Sequence, residues 1–505
     1  MLDLGTSFLA SVERDPDALA IVDGEMRLSY RAWYDKVSAL AAALGETGLK
    51  RGDHVLTAMQ NRWENASLHW ACQFLGLIVT PLNWRAKADE IDFGIADADA
   101  KAVFHEASTE EAVRLSRLAQ DLPQFSADAL AGIMEGRAAD AMPVADAADW
   151  SLMLYTSGTT SKPKGVPRRH QAERAGAVAH VAQNLYRHGE RTLGVMPLYH
   201  TMGVRSLIAS SLIGGTFVCL PRFDVAKALD LIEKEKITNL YLVPTLYHDL
   251  VRHEAFSPER IASVSKLGYA GASMTDGLLR RLDQTFRPEL FVNHYGSSEI
   301  YTFTIEQSAA AKPGSAGRAG INQMIRVVKL GSRNPDERAA VGEEGEIIAL
   351  MKSDEAFEGY WNRPDADAKA LHGGWYFTGD TGLVDRDGDL FVTGRADDMI
   401  ITGGENVSPV EVESCLSLHE GVAEVAVVGL PDERWGKIVV AFVKRRGDVT
   451  AEDLDRHCRD SGLANFRRPR RFVFVEAIPK SPVGKLLRRL LVAGEYIEER
   501  IPEHQ

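Results

Sequence analysis

The chain has 505 residues, 45% hydrophobic and 26% charged, the balance of a soluble globular protein with room for more than one domain. A formal net charge of −13 argues against nonspecific nucleic-acid or anionic-membrane binding as its main task. The four cysteines, Cys72, Cys219, Cys415 and Cys458, form no C-x-x-C pair, so neither a disulfide framework nor a zinc site is expected and a reducing compartment fits.

The opening segment MLDLGTSFLASVERDPDALA has no basic stretch followed by an apolar one, so no secretory signal is expected. No window reaches ~18 uninterrupted apolar residues, so no membrane span is expected and the cytoplasm is the default location. Apolar residues recur at helical spacing from Tyr30 to Leu44, His54 to Met59 reads as a strand, and Ala66 to Leu77 reads as an apolar helix. Ile78 to Thr80 opens a strand, Ala88 to Ala96 is helical, and Lys101 to His105 is a strand. This is the rhythm of βαβ units and a largely parallel sheet. Ser126 to Trp150, rich in Ala and Asp with weak periodicity, reads as a surface connection.

Further strands are expected at Thr192 to Met196, Thr216 to Leu220, Leu240 to Val243, Lys266 to Ala270 and Leu290 to His294, with a helix at Val225 to Glu233. From Gly345 to Gly394 the pattern shifts to short strands and tight turns, with Asp387-Gly388 a hairpin turn rather than part of a calcium loop. Beyond residue 398 a compact α+β unit is expected. Its helices are Pro409 to Leu418, Ala451 to Ser461 and Lys485 to Val492, and its strands Ala423 to Leu430, Val439 to Lys444 and Phe472 to Val475.

The segment Thr156 to Gly165, TSGTTSKPKG, follows the apolar run Leu152 to Tyr155 and places five hydroxyls, two glycines and two lysines in one loop. Backbone N–H groups and hydroxyls in such a loop can face phosphate oxygens, and the glycines let the chain approach closely. It is not the G-x-x-x-x-G-K-[ST] pattern, and a plain polar surface loop has a similar composition.

Other segments recur with it in a fixed order: Met196-Pro197-Leu198-Tyr199-His200, Tyr295-Gly296-Ser297-Ser298-Glu299, Gly359-Tyr360-Trp361-Asn362-Arg363-Pro364 and Trp375-Tyr376-Phe377-Thr378-Gly379-Asp380. Gly394-Arg395-Ala396-Asp397-Asp398, Gly403-Gly404-Glu405-Asn406 and Pro479-Lys480-Ser481-Pro482-Val483-Gly484-Lys485 complete the series. Together they resemble the acyl-adenylate-forming superfamily of acyl- and aryl-CoA synthetases, luciferases and peptide-synthetase adenylation domains. The likeness covers nearly the whole chain and is strongest to the aryl-CoA ligases.

The resemblance implies an α/β fold. A large N-terminal domain of βαβ layers with a small β-barrel-like part would span residues 1–396, and a small mobile α+β C-terminal domain residues 397–505, with the hinge at Asp397. It implies an ATP-, Mg²⁺- and CoA-dependent ligase that makes an acyl-adenylate, releases pyrophosphate, and passes the acyl group to CoA. The work of such a site is positioning and charge stabilisation. Thr156, Ser157, Gly158, Thr159, Thr160 and Lys164 would hold the phosphates. Glu299 and Thr160 would hold Mg²⁺, a cation that takes hard oxygen ligands. Ser298 stands where relatives usually carry Thr. Asp380 and Arg395 would meet the ribose, and Tyr295, Asn293 and Gly271-Ala272-Ser273 the base. Lys485 would bridge the substrate carboxylate and the ribose or α-phosphate, where a compact ammonium suits crowded negative charge.

For the second half-reaction, Phe466, Arg468 and Arg470 would hold the CoA nucleotide, with Trp435 near the pantetheine path. Gly403, Gly404 and Glu405 would line the thiol channel after domain rotation. The run Phe466 to Arg471 packs four arginines around a proline, which is also the composition of a solvated basic turn. His200, Tyr241, Ala272, His294, Gly296, Tyr301 and Thr302 would shape the acyl pocket. Tyr241, His294 and Tyr301 make it bulky and polar, which favours a small ring acid, oxygen-bearing or not, over a long fatty chain. A medium-chain fatty acyl-CoA synthetase, a carrier-loading adenylase and a non-catalytic relative are the alternatives. The partners implied are a small carboxylic acid, ATP and CoA, with no nucleic acid; a homodimer is left open. Ser161 stands where the family loop usually has a second glycine, at a cost of roughly 1–2 kcal/mol if that position needs a positive φ.

Overall fold

The computed structural model describes residues 1–156, 163–396, 398–480 and 486–499. Three sheets carry the chain. A six-stranded sheet runs in the order Gln124–Ser126, Ala102–His105, His54–Ala58, Ile78–Pro81, Trp150–Thr156 and Lys164–Arg169. It is parallel except for its last pair, in which Thr156 faces Lys164. The strands on either side of the phosphate-loop segment therefore pair with each other at the edge of this sheet.

A fourteen-stranded sheet has a parallel half made of Leu19–Asp23, Thr216–Cys219, Arg191–Gly194, Asn239–Leu242, Lys266–Tyr269 and Leu290–Tyr295. It continues antiparallel through Thr304–Glu306, Ser315–Ala319, Leu390–Arg395, Trp375–Val384, Gly345–Leu350 and Ile325–Lys329. This antiparallel half is the region of short strands and tight turns expected from sequence. Its Asp387-Gly388 turn does join two strands, and Lys312 lies 2.6, 2.9 and 2.5 Å from Asp385, Asp387 and Asp389.

One apolar core joins the two large sheets. It takes Val55, Phe104 and Leu152 from the first, Ile21 and Phe217 from the second, and side chains of the helices Leu4–Arg14, Tyr30–Gly45, Trp63–Leu75 and Thr201–Leu212. Phe8 stacks on Trp70 at 4.7 Å and meets Trp33 edge-on at 5.1 Å. Every residue of Trp63–Leu75 except Leu75 is buried, the polar Glu64, Asn65, Ser67, His69 and Gln73 included, so this helix lies inside the core and not on its surface. Tyr30–Gly45 starts where the Ser29 hydroxyl accepts the Ala32 N–H at 3.3 Å.

A five-stranded sheet of Glu405–Val407, Ile400–Thr402, Gly436–Arg445, Val422–Asp432 and Arg471–Phe474 makes the C-terminal unit, with helices Pro409–Ser417 and Ala451–Asp460 against it. It touches the rest through His248, whose Nε2 lies 3.1 Å from the Ala423 carbonyl, and through Gly277, where a Cβ would stand 2.9 Å from the Ser417 carbonyl.

Two expectations need correction. Ser126 to Trp150 is not merely a surface connection: Ala127–Gly136 is a helix capped by Ser126, and it buries Ala127, Leu130 and Met134. Its buried positions fall at i, i+3 and i+7, two steps only, one of them an alanine, too little periodicity to stand out in an alanine-rich stretch. The expected helix from Lys485 begins only at Arg488, because Leu486 pairs with Lys480 in an antiparallel bridge. Among the described residues no helix is long and apolar enough to cross a membrane.

Five histidines are held neutral by burial. His54 is depressed to about 4, His69 to about 3 and His170 to about 4, while His180 and His294 fall well below the usual value. In the unfolded chain each would take a proton near pH 6.5, so the stability is complete above that pH and is lost as pH falls below it. Going from pH 6.5 to 5.5 should cost roughly 1 kcal/mol per group, on the order of 5 kcal/mol together. Thermal melting in a buffer series checks this; a melting temperature that stays level over that interval contradicts it.

Candidate active site

The strand Lys164–Arg169 returns from the phosphate-loop segment and presents Lys164 and Arg168 to its neighbours. The Lys164 ammonium lies 3.9 Å from the centre of the Tyr360 ring. Burial lowers its pKa and the nearby Glu299 carboxylate opposes that shift. The Tyr360 hydroxyl donates to Glu299 Oε1 at 2.6 Å, and Glu299 is 6% exposed. The backbone N–H of Trp361 donates to the Gly165 carbonyl at 2.9 Å and its indole to the Asp97 carbonyl at 3.0 Å. Thus the segment Gly359 to Pro364 clamps the exit of the loop and delivers Tyr360 to Glu299.

Arg168 is fully buried and pairs with Glu173, equally buried, at 2.7 Å. Its Nη1 donates to the carbonyls of Glu299 at 2.9 Å and Glu355 at 2.7 Å. Its guanidinium lies 4.0 Å from the Tyr301 ring centre, and the Tyr301 hydroxyl donates to Glu173 at 2.9 Å. The turn that carries Glu299 is therefore held by a cation from the other large sheet. Within that turn Gly296 is required, since a Cβ there would lie 2.1 Å from the Tyr301 carbonyl oxygen. The Ser298 hydroxyl is 3.2 Å from that of Thr201.

A second group forms where Leu290–Tyr295 ends beside Trp375–Val384 and Leu390–Arg395. The Tyr295 hydroxyl donates to Asp380 Oδ2 at 2.6 Å, and Arg395 donates to Asp380 Oδ1 at 2.8 Å. Strand pairing sets Asp380 opposite Arg395, so the backbone register itself brings the two together. Gly271, with φ +82°, and Ser273 are exposed at the end of Lys266–Tyr269, with Ala272 half-buried between them. Asn293 donates to the Ser315 carbonyl at 2.8 Å. His200 caps the helix Thr201–Leu212 through Nδ1, which accepts the Met202 N–H at 3.3 Å.

Tyr241, His294, Tyr301 and Thr302 come together around a residue the sequence did not single out. Arg205, on the helix after His200, donates through Nη1 to Thr302 Oγ1 and the Tyr301 carbonyl, each at 3.1 Å, and through Nη2 to the Tyr241 hydroxyl. His180 packs against Tyr241 at 4.7 Å and against His294 at 5.2 Å. Met196, Met202, Val243 and Ala270 form an apolar wall beside Tyr241.

The enzyme-family model described as AMP-binding enzyme matches residues 8–361, and that described as its C-terminal domain matches residues 411–485. The chain belongs to the AMP-binding enzyme family. It is 35% identical to the 4-chlorobenzoate–CoA ligase of an Arthrobacter species, over 96% of this chain and 94% of that one. It is 32% identical to a long-chain fatty-acid–CoA ligase of Mycobacterium tuberculosis, over 92% and 93%. The structure of the o-succinylbenzoate CoA synthetase of Bacillus subtilis with its acyl-adenylate superposes with a TM-score of 0.83 at 26% identity, covering 96% of this chain and 97% of that one. The enzyme is an AMP-forming acid–thiol ligase, a carboxylate:CoA ligase that uses ATP and CoA.

In its C-terminal unit, Trp435 lies under Arg470 at 4.8 Å, and its carbonyl accepts the Gly403 N–H at 2.9 Å. Gly404, Glu405 and Arg470 are exposed. Arg468 is turned inward onto Asp455 at 3.0 Å and Asn465 at 2.5 Å, and half-buried Phe466 lies under Arg467 at 5.1 Å. Beside the expected hinge, Asp398 lies 3.7 Å from Arg488, which grips Glu413 at 2.7 and 2.8 Å. Ser157, Gly158, Thr159, Thr160, Ser161, Asp397 and Lys485 lie outside the described residues.

Sequence reading missed Arg168, Glu173 and Arg205 because charged residues are ordinarily solvent-facing. Tyr360 lay inside a quoted motif without a role. The Arg168–Glu173 pair generates a stability prediction. Glu173→Gln leaves the buried guanidinium without its counter-charge, and unfolding should become easier by about 3 kcal/mol. Differential scanning calorimetry measures it; a melting profile like that of the parent chain refutes the role.

Proposed function

We propose that the enzyme activates a compact ring carboxylic acid as its acyl-adenylate and transfers it to CoA. The observation that carries the choice of acid is the pocket set of Tyr241, His294, Tyr301 and Thr302 around Arg205. Buried polar groups of this density suit a short acid with its own polar atoms, and they oppose a long methylene chain, which cannot pair them. The M. tuberculosis relative's fatty-acid substrate keeps the medium-chain reading as the competitor.

In this reading Thr156 to Lys164 holds the β- and γ-phosphates, Asp380 and Arg395 the ribose, and Tyr295, Asn293 and Gly271 to Ser273 the base. His200 and Ala272 border the acyl group. Glu299 is a hard-oxygen donor with one oxygen taken by Tyr360 and the other open, and the hydroxyl of its chain neighbour Ser298 meets that of Thr201. That donor set fits Mg²⁺, which would neutralise phosphate charge when bound. Glu299 and Thr160 would hold it. Lys164 adds a cation on the same side, placed to follow the charge that develops on departing pyrophosphate.

Lys485 completes the adenylation site in this proposal. The incoming thiol needs the same approach, so rotation about Asp397 would exchange Lys485 for Gly403, Gly404 and Glu405. Trp435 and Arg470, already stacked, would then meet CoA, with Phe466 and Arg468 beside them.

A panel of carboxylates in ATP–pyrophosphate exchange tests the acid. Ring acids should give the highest kcat/KM, and octanoate or longer acids in that place would sink the choice. Lys485→Ala should depress adenylate formation by 100-fold or more while leaving thioesterification of supplied acyl-adenylate nearly intact, as expected of one group aimed at developing charge. Equal loss of both half-reactions refutes the two-conformation assignment.

A further inference from the structure

Arg205 is 2% exposed, yet every hydrogen bond it makes is to a neutral oxygen, namely the Tyr301 carbonyl, Thr302 Oγ1 and the Tyr241 hydroxyl. Its Nε–H is buried and has no partner. The buried carboxyl of Glu355 lies in its field but accepts from Asn322 at 3.2 Å. A buried guanidinium without a direct counter-ion is costly and calls for an explanation.

Two more orphans stand beside it. Asn184 Nδ2 donates to the His180 carbonyl at 2.8 Å, which fixes the orientation of the amide. The same nitrogen lies 2.9 Å from His294 Nε2 and 3.0 Å from His180 Nδ1; with one hydrogen on the carbonyl it has one left for the pair, and because it accepts from neither ring, a proton on either facing ring nitrogen would be unfavourable. The remaining nitrogens, His294 Nδ1 and His180 Nε2, must then carry the protons of neutral imidazoles. Both are buried and have no partner. The Tyr241 ring lies 4.7 Å from His180 and 5.4 Å from His294, and its hydroxyl meets Arg205. All three orphaned groups around Tyr241 are donors, and one is charged. What they lack is an acceptor within hydrogen-bond reach: Glu355 Oε2, a buried carboxyl oxygen in the field of Arg205, is itself without a partner and bonds none of them.

We infer that Arg205, with His180 and His294, is a specificity-determining set that receives an oxygen acceptor, foremost a second carboxylate, carried by the acid away from the carboxylate being activated. The inference rests on the acyl pocket of the proposed function. Met196, Met202, Val243 and Ala270 would flank the ring, and the donor set would close the far end. Such a site rejects an acid without the oxygen because its buried donors are then left unpaired, whereas a pocket that only packs a ring discriminates weakly.

The test compares carboxybenzoates and hydroxybenzoates with the methylbenzoates of the same substitution position, by kcat/KM in ATP–pyrophosphate exchange. With the wild-type enzyme the best oxygen-bearing isomer should exceed its methyl counterpart by at least about tenfold. Arg205→Met should bring that ratio to one or below, and Arg205→Lys, which keeps the charge but not the fork, should leave it in between. A wild-type ratio of one or less overturns the inference and means that water satisfies the donors. So does an Arg205→Met variant that slows both acids alike. The wild-type comparison decides the matter even if the variant does not fold. Exchange with aliphatic acids but no ring acid also overturns it and leaves the ligase standing, whereas no exchange with any acid removes the ligase reading as well.

Discussion

The site depends on one buried cation. Arg168 belongs to the edge strand of the six-stranded sheet, but its guanidinium is spent on the other large sheet, on the carbonyls of Glu299 and Glu355 and the face of Tyr301. Glu173, one turn into the following helix, neutralises it. Taking both charges out of water is expensive, and the arrangement is tolerable because Arg168 Nε and Nη1 and both Glu173 oxygens are used, although Nη2 is left without a partner. The return is positional: the turn with Gly296, Ser298 and Glu299 cannot shift without uncovering that charge. Lys164, four residues before Arg168 on the same strand, is thereby held at a fixed offset from Glu299, with the Tyr360 ring and hydroxyl between them.

The molecule as a whole is acidic, so its handling of anions is local. The positive groups that face the proposed nucleotide are few and individually constrained. Lys164 is partly desolvated against an aromatic ring, and Arg395 is tied to Asp380 across one strand pair. A desolvated ammonium next to a carboxylate interacts more strongly with phosphate than an exposed one, because less water screens it. A handful of placed cations can therefore offset the repulsion of the surrounding surface, which a diffuse basic patch would not do at this net charge.

Much of this was legible in the chain, and the reasons differ by element. Most of the parallel strands were visible because each is short, apolar and bracketed by turn residues, while Leu19–Asp23 and Gln124–Ser126 were not; Asp380 and Arg395 stood out through the family likeness of their motifs, and only the structure shows them facing each other. The helix Ala127–Gly136 was hidden by alanines, which occur on its buried and its exposed sides alike and so blur the contrast between them. The start of the last helix was misplaced because Pro479 to Leu487 mixes helix-favouring and turn residues, and the chain spends Leu486 on a bridge to Lys480 instead. Arg168 and Arg205 were invisible for a deeper reason. A sequence shows that a residue is charged, but not that the fold has built a low-dielectric place for it.

Those two arginines make an instructive pair. They flank the same ring, with Arg168 4.0 Å and Arg205 5.6 Å from the centre of Tyr301. Arg168 has a carboxylate in direct contact, while Arg205 has only neutral partners and stands among donors. Stability alone would favour replacing a cation whose counter-charge, the Glu355 carboxyl, acts on it without a hydrogen bond, since a buried charge so weakly compensated costs more than packing gains. A fold that keeps one paired arginine for architecture and one unpaired arginine a ring's width away separates the two uses of buried charge. The first holds the turn that carries Glu299, and the second leaves an electrostatic vacancy that an incoming acid can fill.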